Sequence, residues 1–343
     1  MRGNFLALPT DCPQRDERLG WTGDIQVFSP TATFLFDTAG FLSEWLGDLS
    51  AEQKADGGVP FVIPDVLGVP DPAAAAWSDA ATIVPEAVHL AYGDRGVTER
   101  QYPSMRAWVE KVRGIVGEDL LWSTGPQFGD WLDPTAPPDD AAKAQADPAV
   151  VATAYFARSA GILARSATLL GRHADAEDYT RLEQDVRAAF IAAYVGKDGL
   201  VRSDCQTVYA LAIVNDLFAT ERQRVGAGDR LAELVRAAGY QVSTGFVGTP
   251  VILDALSSAG PCLPHVAGGV LPVVVVRGRD GRDDGVGALG LDAAGRIDQS
   301  GRDDLVQSLC LRRGRRLAAP AGGRTRTDIT GVPHDRGAAG RDG

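Results

Sequence analysis

The chain has 343 residues, 45% of them hydrophobic and 23% charged, which suffices for one large core or two ordinary ones. Its formal net charge of -11 argues against nucleic acid and anionic membranes as partners, since both require clustered Lys and Arg, and leaves room for a neutral substrate such as a sugar. Cys12, Cys205, Cys262 and Cys310 are far apart with no CxxC spacing, so neither a zinc site nor a disulfide framework is expected; free thiols in a reducing compartment are. Met1 to Thr10 lacks a long apolar run and no segment is long enough to span a bilayer, which predicts a soluble, cytoplasmic protein without a membrane partner.

In chain order, Pro9 to Gly23 is dense in charge and turn formers and reads as an ordered loop. From Phe28 to Leu46, the positions of Phe34, Phe41, Leu42, Trp45 and Leu46 suit one helical face. Gly57 to Pro72 is a Gly/Pro-rich loop. Trp77 to Tyr92 and Val97 to Val116 read as a helix pair joined by a Gly93-Asp94 turn. After a loop from Gly125 to Pro148 come Val150 to Leu170 and Ala176 to Tyr194, joined at Gly171. Thr207 to Phe218 and Glu221 to Ala238 make a third pair. No alternating strand pattern interrupts them, so the fold class is all-α. Helical hairpins separated by long loops predict an α/α toroid whose loops at one end gather the binding residues.

The chemistry is concentrated in Asp11-Cys12-Pro13-Gln14-Arg15-Asp16-Glu17-Arg18-Leu19-Gly20-Trp21-Thr22-Gly23-Asp24. Sugar hydrolysis uses this toolkit. A carboxylic acid protonates the leaving oxygen, further carboxylates and arginines hold ring hydroxyls, and an indole covers the C–H face of the ring. Composition alone leaves a solvated charged turn equally open. The order of residues is more specific, because the string closely resembles the DCPQRDERLGWTGD motif of glycoside hydrolase family 78, the α-L-rhamnosidases.

Other strings resemble the same family. Trp77-Ser78-Asp79-Ala80 with Tyr92-Gly93-Asp94 is similar to its W-x-D-A…Y-G-D helix, Gly129-Asp130-Trp131-Leu132 to its G-D-W-L loop, and Thr244-Gly245-Phe246-Val247-Gly248-Thr249 to a later barrel loop. The resemblance runs from about Asn4 to Gly260. It implies a partial (α/α)6 barrel, incomplete at both ends, and inverting hydrolysis of terminal α-L-rhamnosyl residues, without a cofactor or a metal. It makes Glu17 the general acid, Asp11, Arg15 and Asp24 the ligands of the rhamnose hydroxyls, and Trp21, Trp77 and Trp131 the walls of the pocket. The implied partner is a rhamnosylated small molecule or oligosaccharide. Periodicity alone makes Trp77 and Trp131 core residues. Glu86 departs from the family, which often carries an aromatic after the proline, and is given no catalytic role.

From about Pro261 the character changes: Phe, Tyr, Trp and Lys are absent, while Gly and Arg dominate. Residues 1–260 are therefore expected to form the catalytic barrel, and 261–343 a disordered tail. Inversion needs a second carboxylate, about 6.5–9.5 Å from the first, to activate water. In the family this is the glutamate of a G-A-T-T-x-W-E-R-W motif, followed by a segment like N-P-G-E-M-T-S-F-N-H-Y, and neither string occurs after Gly260. Regrouping the last two bases of each codon with the first base of the next recovers both. With mostly G/C-ending codons, Arg282 to Asp292 can read A-T-T-V-W-E-R-W-D-S-M, and Ile297 to Cys310 can read S-I-N-P-G-E-M-T-S-F-N-H-Y-A. The expectation is a one-base slip near Pro261 that displaced the base glutamate from the Gly287/Ala288 junction. The resemblance also places helices and β-sandwich domains upstream of Met1, so poor solubility or partial folding is expected of the chain alone. Two other functions stay open on sequence: a rhamnose-binding remnant without turnover, and a helical-barrel glycosidase or lyase of different sugar specificity. A basic-tail nucleic-acid binder is disfavoured by the overall charge.

Overall fold

The computed structural model describes residues 3–11, 18–137 and 139–258. The tail from 259 onward, with Cys262 and Cys310, and the loop residues Cys12, Arg15 and Glu17 lie outside them. Among the described residues there are nine α-helices, one short 3-10 turn, no strands and three isolated bridges. The helices are α1 (Thr22–Leu35), α2 (Ala39–Glu52), α3 (Ala80–Tyr92), α4 (Arg95–Val116), α5 (Pro148–Leu170), α6 (His173–Tyr194), α7 (Gln206–Val214), α8 (Glu221–Ala237) and α9 (Ile252–Ser258).

Burial divides them into two rings. In α5 a nearly unbroken apolar and small-residue run, Val150 to Leu163, is buried on almost every side, and α3 and α7 are similarly enclosed. A helix apolar all round must be covered all round. By contrast α6 buries one stripe, Tyr179, Leu182, Val186, Phe190 and Tyr194, at the three-to-four-residue spacing of a helix with one wet face. Packing follows the same division. The odd helices form a chain of neighbours, α1 on α3, α3 on α5, α5 on α7 and α7 on α9, while α4 packs on α3 and α5, α6 on α5, and α8 on α7. The odd helices are the inner wall and the even ones the outer layer of a partial (α/α)6 barrel.

Local signals set the hairpins. Gly93 (φ 69°) and Gly171 (φ 74°) end α3 and α5 in the left-handed conformation that glycine adopts without a Cβ penalty. Asp94 then caps α4, its carboxylate accepting from the amides of Gly96 and Val97, and Asp147 caps α5 through Ala149. The helix predicted from Phe28 to Leu46 is in fact two. The chain leaves α1 at Phe36 and re-enters a helix at Ala39, where the Tyr92 hydroxyl takes up the loose ends by accepting from the Thr38 amide (2.9 Å) and donating to the Phe36 carbonyl (3.0 Å). Apolar spacing continues across the break, so periodicity misses it. The loop expected to run to Gly23 ends earlier, at Trp21, and α9 was not anticipated.

Short turns at one end of the barrel join each odd helix to the even helix that follows. Long connections at the other end, residues 53–79, 117–147, 195–205 and 238–251, each lead into the N-terminus of an odd helix. This is where the motif residues collect.

Candidate functional site

The first wall of the site is the arm that leads into α1. Its neck is closed by two hydrogen bonds: the Asp11 amide donates to the Leu19 carbonyl (3.0 Å), and the Leu19 amide donates to Asp11 Oδ1 (2.9 Å). Beyond it the chain pairs with residues 61–63. The Ile63 amide donates to Gly20 O, and the Thr22 amide and hydroxyl both donate to Phe61 O (2.9 and 3.0 Å), with Trp21 bridged to Val62. This pairing hands Trp21 to the N-cap of α1 and puts Asp24 in its first turn.

Gly23 is the contact that ties the arm to the second wall. A Cβ there would lie 2.7 Å from the Trp77 ring, so the absence of a side chain lets the arm lie on the indole. Trp77 sits in a nest of rings. Phe128 (4.4 Å between centroids) and Phe246 (5.1 Å) flank it, Phe61 lies edge-on to Phe128 at 5.1 Å, and Trp131 edge-on to Phe128 at 5.7 Å. Trp77 is 4% exposed, as periodicity alone predicts, whereas Trp131 and Trp21 are half-buried.

Asp11 and Asp24 belong to the arm itself, while Asp79 and Asp130 are buried among hydrogen-bond donors. Asp24 is half-buried, and desolvation, reinforced by the nearby Asp11 charge, pushes it up from 3.8 to about 7. Asp79, wholly buried, accepts from Trp108 Nε1 (2.9 Å), the Ser159 hydroxyl (2.5 Å) and the Ala76 amide (2.8 Å). Burial raises it too, opposed by those hydrogen bonds. The Ala76 bond holds that residue at φ 69°, immediately before Trp77. Asp130 is likewise fully buried and receives the Thr207 hydroxyl and the amides of Gly245 (2.8 Å), Val247 (3.0 Å) and Gly248 (3.1 Å).

Of the predicted site residues, the structure thus brings Asp11 and Asp24 together and sets their arm on Trp77. Trp131 joins the same aromatic group through Phe128, not through Trp77 itself. Trp21 is half-buried and joined by its backbone to Val62. Arg15 and Glu17 lie outside the described residues. Phe128 and Phe246 were missed as wall residues, although Phe246 lies inside a motif that sequence reasoning had marked. Glu86 forms an ion pair with Arg165 (2.8 Å) between α3 and α5, away from this end. Cys205 is a free, buried thiol that burial pushes up to about 11, so it stays protonated and unreactive at neutral pH. Among the described residues no group of His, Cys, Asp and Glu could hold a metal, and no helix is long and apolar enough to cross a membrane.

A helical barrel with acids and aromatic rings gathered where long loops enter its inner helices is the architecture of a six-hairpin glycosidase domain. The family described as the bacterial alpha-L-rhamnosidase 6 hairpin glycosidase domain matches residues 1–265, and this chain belongs to it. An α-L-rhamnosidase of Streptomyces avermitilis is 44% identical over 259 residues, covering 76% of this chain and 24% of its own length. One from Formosa agariphila is 38% identical over 262 residues, covering 76% of this chain and 28% of its own. The crystal structure of the Aspergillus terreus α-L-rhamnosidase superposes with a TM-score of 0.73 at 41% identity, covering 76% of this chain and 30% of that one. The Streptomyces avermitilis enzyme complexed with L-rhamnose superposes with a TM-score of 0.69 at 44% identity, covering 76% and 24%. The chain spans about a quarter of the length of the curated relatives it matches.

Proposed function

We propose that residues 1–260 carry the general-acid side of an inverting α-L-rhamnosidase active site, acting on terminal α-L-rhamnosyl groups of a small glycoside or oligosaccharide. The observation that carries this reading is the seating of the acidic arm on Trp77 through Gly23, beside Asp24 and Asp11. Glu17 then protonates the glycosidic oxygen. Asp11, Arg15 and Asp24 hold ring hydroxyls by charge-assisted hydrogen bonds, and Trp21, Trp77 and Trp131 supply the apolar faces. Two carboxylates close to one another raise the proton affinity of a third nearby, which keeps a general acid protonated near neutrality.

The general base belongs to the part of the barrel that the tail should encode. The string G-A-T-T-x-W-E-R-W is missing after Gly260, yet it is recoverable in the other frame with its glutamate at the Gly287/Ala288 junction. The reading is therefore that residues 261–343 are the product of a one-base slip, and that this chain binds L-rhamnose without turning over rhamnosides. Resequencing the gene across the codons for Ala259 to Arg282 decides the slip. Isothermal titration with L-rhamnose and an assay with p-nitrophenyl rhamnoside decide the rest. Binding without hydrolysis is expected of the chain as it stands, and both are expected once the frame is restored. Normal turnover by the unaltered chain would overturn the lost base.

A further inference from the structure

Asp130 belongs to a motif the sequence singled out, but it touches no space a sugar could enter. All four hydrogen bonds it receives come from α7 and the loop before α9: the Thr207 hydroxyl and Gly245 amide on Oδ2, the Val247 and Gly248 amides on Oδ1. Those donors bracket Phe246, whose own amide donates to the Trp131 carbonyl (2.7 Å) and whose ring lies 5.1 Å from Trp77. Gly245 completes the clamp. A Cβ there would collide with the backbone of Asp130, Trp131 and Asp133, so the loop is pressed directly onto the segment that carries the carboxylate.

We propose that Asp130 is a positioning residue: its carboxylate holds the loop Thr244–Thr249 so that Phe246 closes on Trp77, and this sets the aromatic wall against which the sugar is bound. The loop's own bonds, from Thr249 to the Gly245 carbonyl and the Thr244 hydroxyl, tie its ends together but leave the amides of Gly245, Val247 and Gly248 to Asp130. These three amides point inward to one side chain, and without a full carboxylate they lack acceptors in a buried place. The link to sugar rests on the rhamnose-binding reading above; the clamp itself does not.

The test is Asp130→Asn in the full chain. An amide keeps one accepting oxygen and turns an NH2 toward the other pair of donors, so it can satisfy either the Gly245 side or the Val247/Gly248 side but not both. Hydrogen exchange should accelerate about tenfold or more at the amides on the side left unsatisfied, while α5 and α7 keep their native rates. L-rhamnose affinity should fall about tenfold. Phe246→Ala should weaken binding comparably, and the double variant should be no worse than the weaker single one, because both act through the same ring. Unchanged exchange in the loop would overturn the clamp. Additive losses in the double variant would overturn its route through Phe246. Native protein that fails to bind L-rhamnose, with loop amides still freed by Asp130→Asn, would remove the sugar reading and leave the clamp supported.

Discussion

Asp24 and Asp130 are both acids drawn out of water at the same end of the barrel, and their surroundings are opposite. Burial pushes Asp130 up as well, but there donors from neighbouring backbone and Thr207 saturate the carboxylate and oppose the shift, so the group is part of the scaffold. Among the described residues, Asp24 has only its own amide to set against desolvation and the repulsion of Asp11, and it is pushed up to about 7. Donors that a scaffold acid receives in advance make it inert. An acid left short of donors retains capacity for a ligand's hydroxyls, at a cost in stability that selection tolerates at sites of function.

That contrast fails most visibly if the aromatic wall is not a shared support. Trp77→Ala removes a ring packed by Gly23, Phe128 and Phe246. The expected loss is about 3–5 kcal/mol, measurable as a lowered midpoint in urea. A loss under about 1 kcal/mol would mean the arm does not depend on the indole. Asp130→Ala comes next. It strands four buried donors and should cost about 3 kcal/mol. Thr207→Val takes away one donor and leaves three amides in place. It should cost about 1.5–2 kcal/mol, the scale of a hydrogen bond to a charged acceptor. If Thr207→Val is neutral, Asp130 does not depend on a full set of donors.

How legible this was in sequence depends on which physical signal each residue leaves. The helix pairs were readable from apolar spacing and the glycine turns at Gly93 and Gly171, whereas their division into inner and outer layers shows only in the burial, all round in α5 and along one stripe in α6. The break at residues 36–38 was not, because the Tyr92 hydroxyl that stabilises it comes from a helix more than fifty residues away. The arm's residues stood out through their density of charge beside Trp21. The aromatic wall could not be assembled from spacing, since Phe61, Phe128 and Phe246 are brought to Trp77 by three separate long loops. The motif acids Asp79 and Asp130 were visible as motifs, but the donors that give them their roles, the Trp108 indole and the amides of Gly245, Val247 and Gly248, are visible only in the fold.

Asp24→Asn has the smallest expected effect and the opposite sign. In the unfolded chain this carboxyl releases its proton near 3.8, and in the folded protein near 7. Below 3.8 both states hold the proton and the group contributes no difference. Between the two values the folded state keeps a proton that the unfolded state has lost, so stability declines as pH rises, and above about 7 the deficit is complete. The amide cannot titrate. It should match the native stability at pH 3.5 and exceed it at pH 8 by about 1 kcal/mol, a figure reduced for the half-exposed position of the group. Asp11→Asn should recover part of the same gain by removing the neighbouring charge. Both changes should weaken L-rhamnose binding, as expected of acids kept short of donors for a ligand. A stability difference that does not vary with pH would show that Asp24 does not change its proton affinity on folding, and its contrast with the donor-saturated Asp130 would be lost.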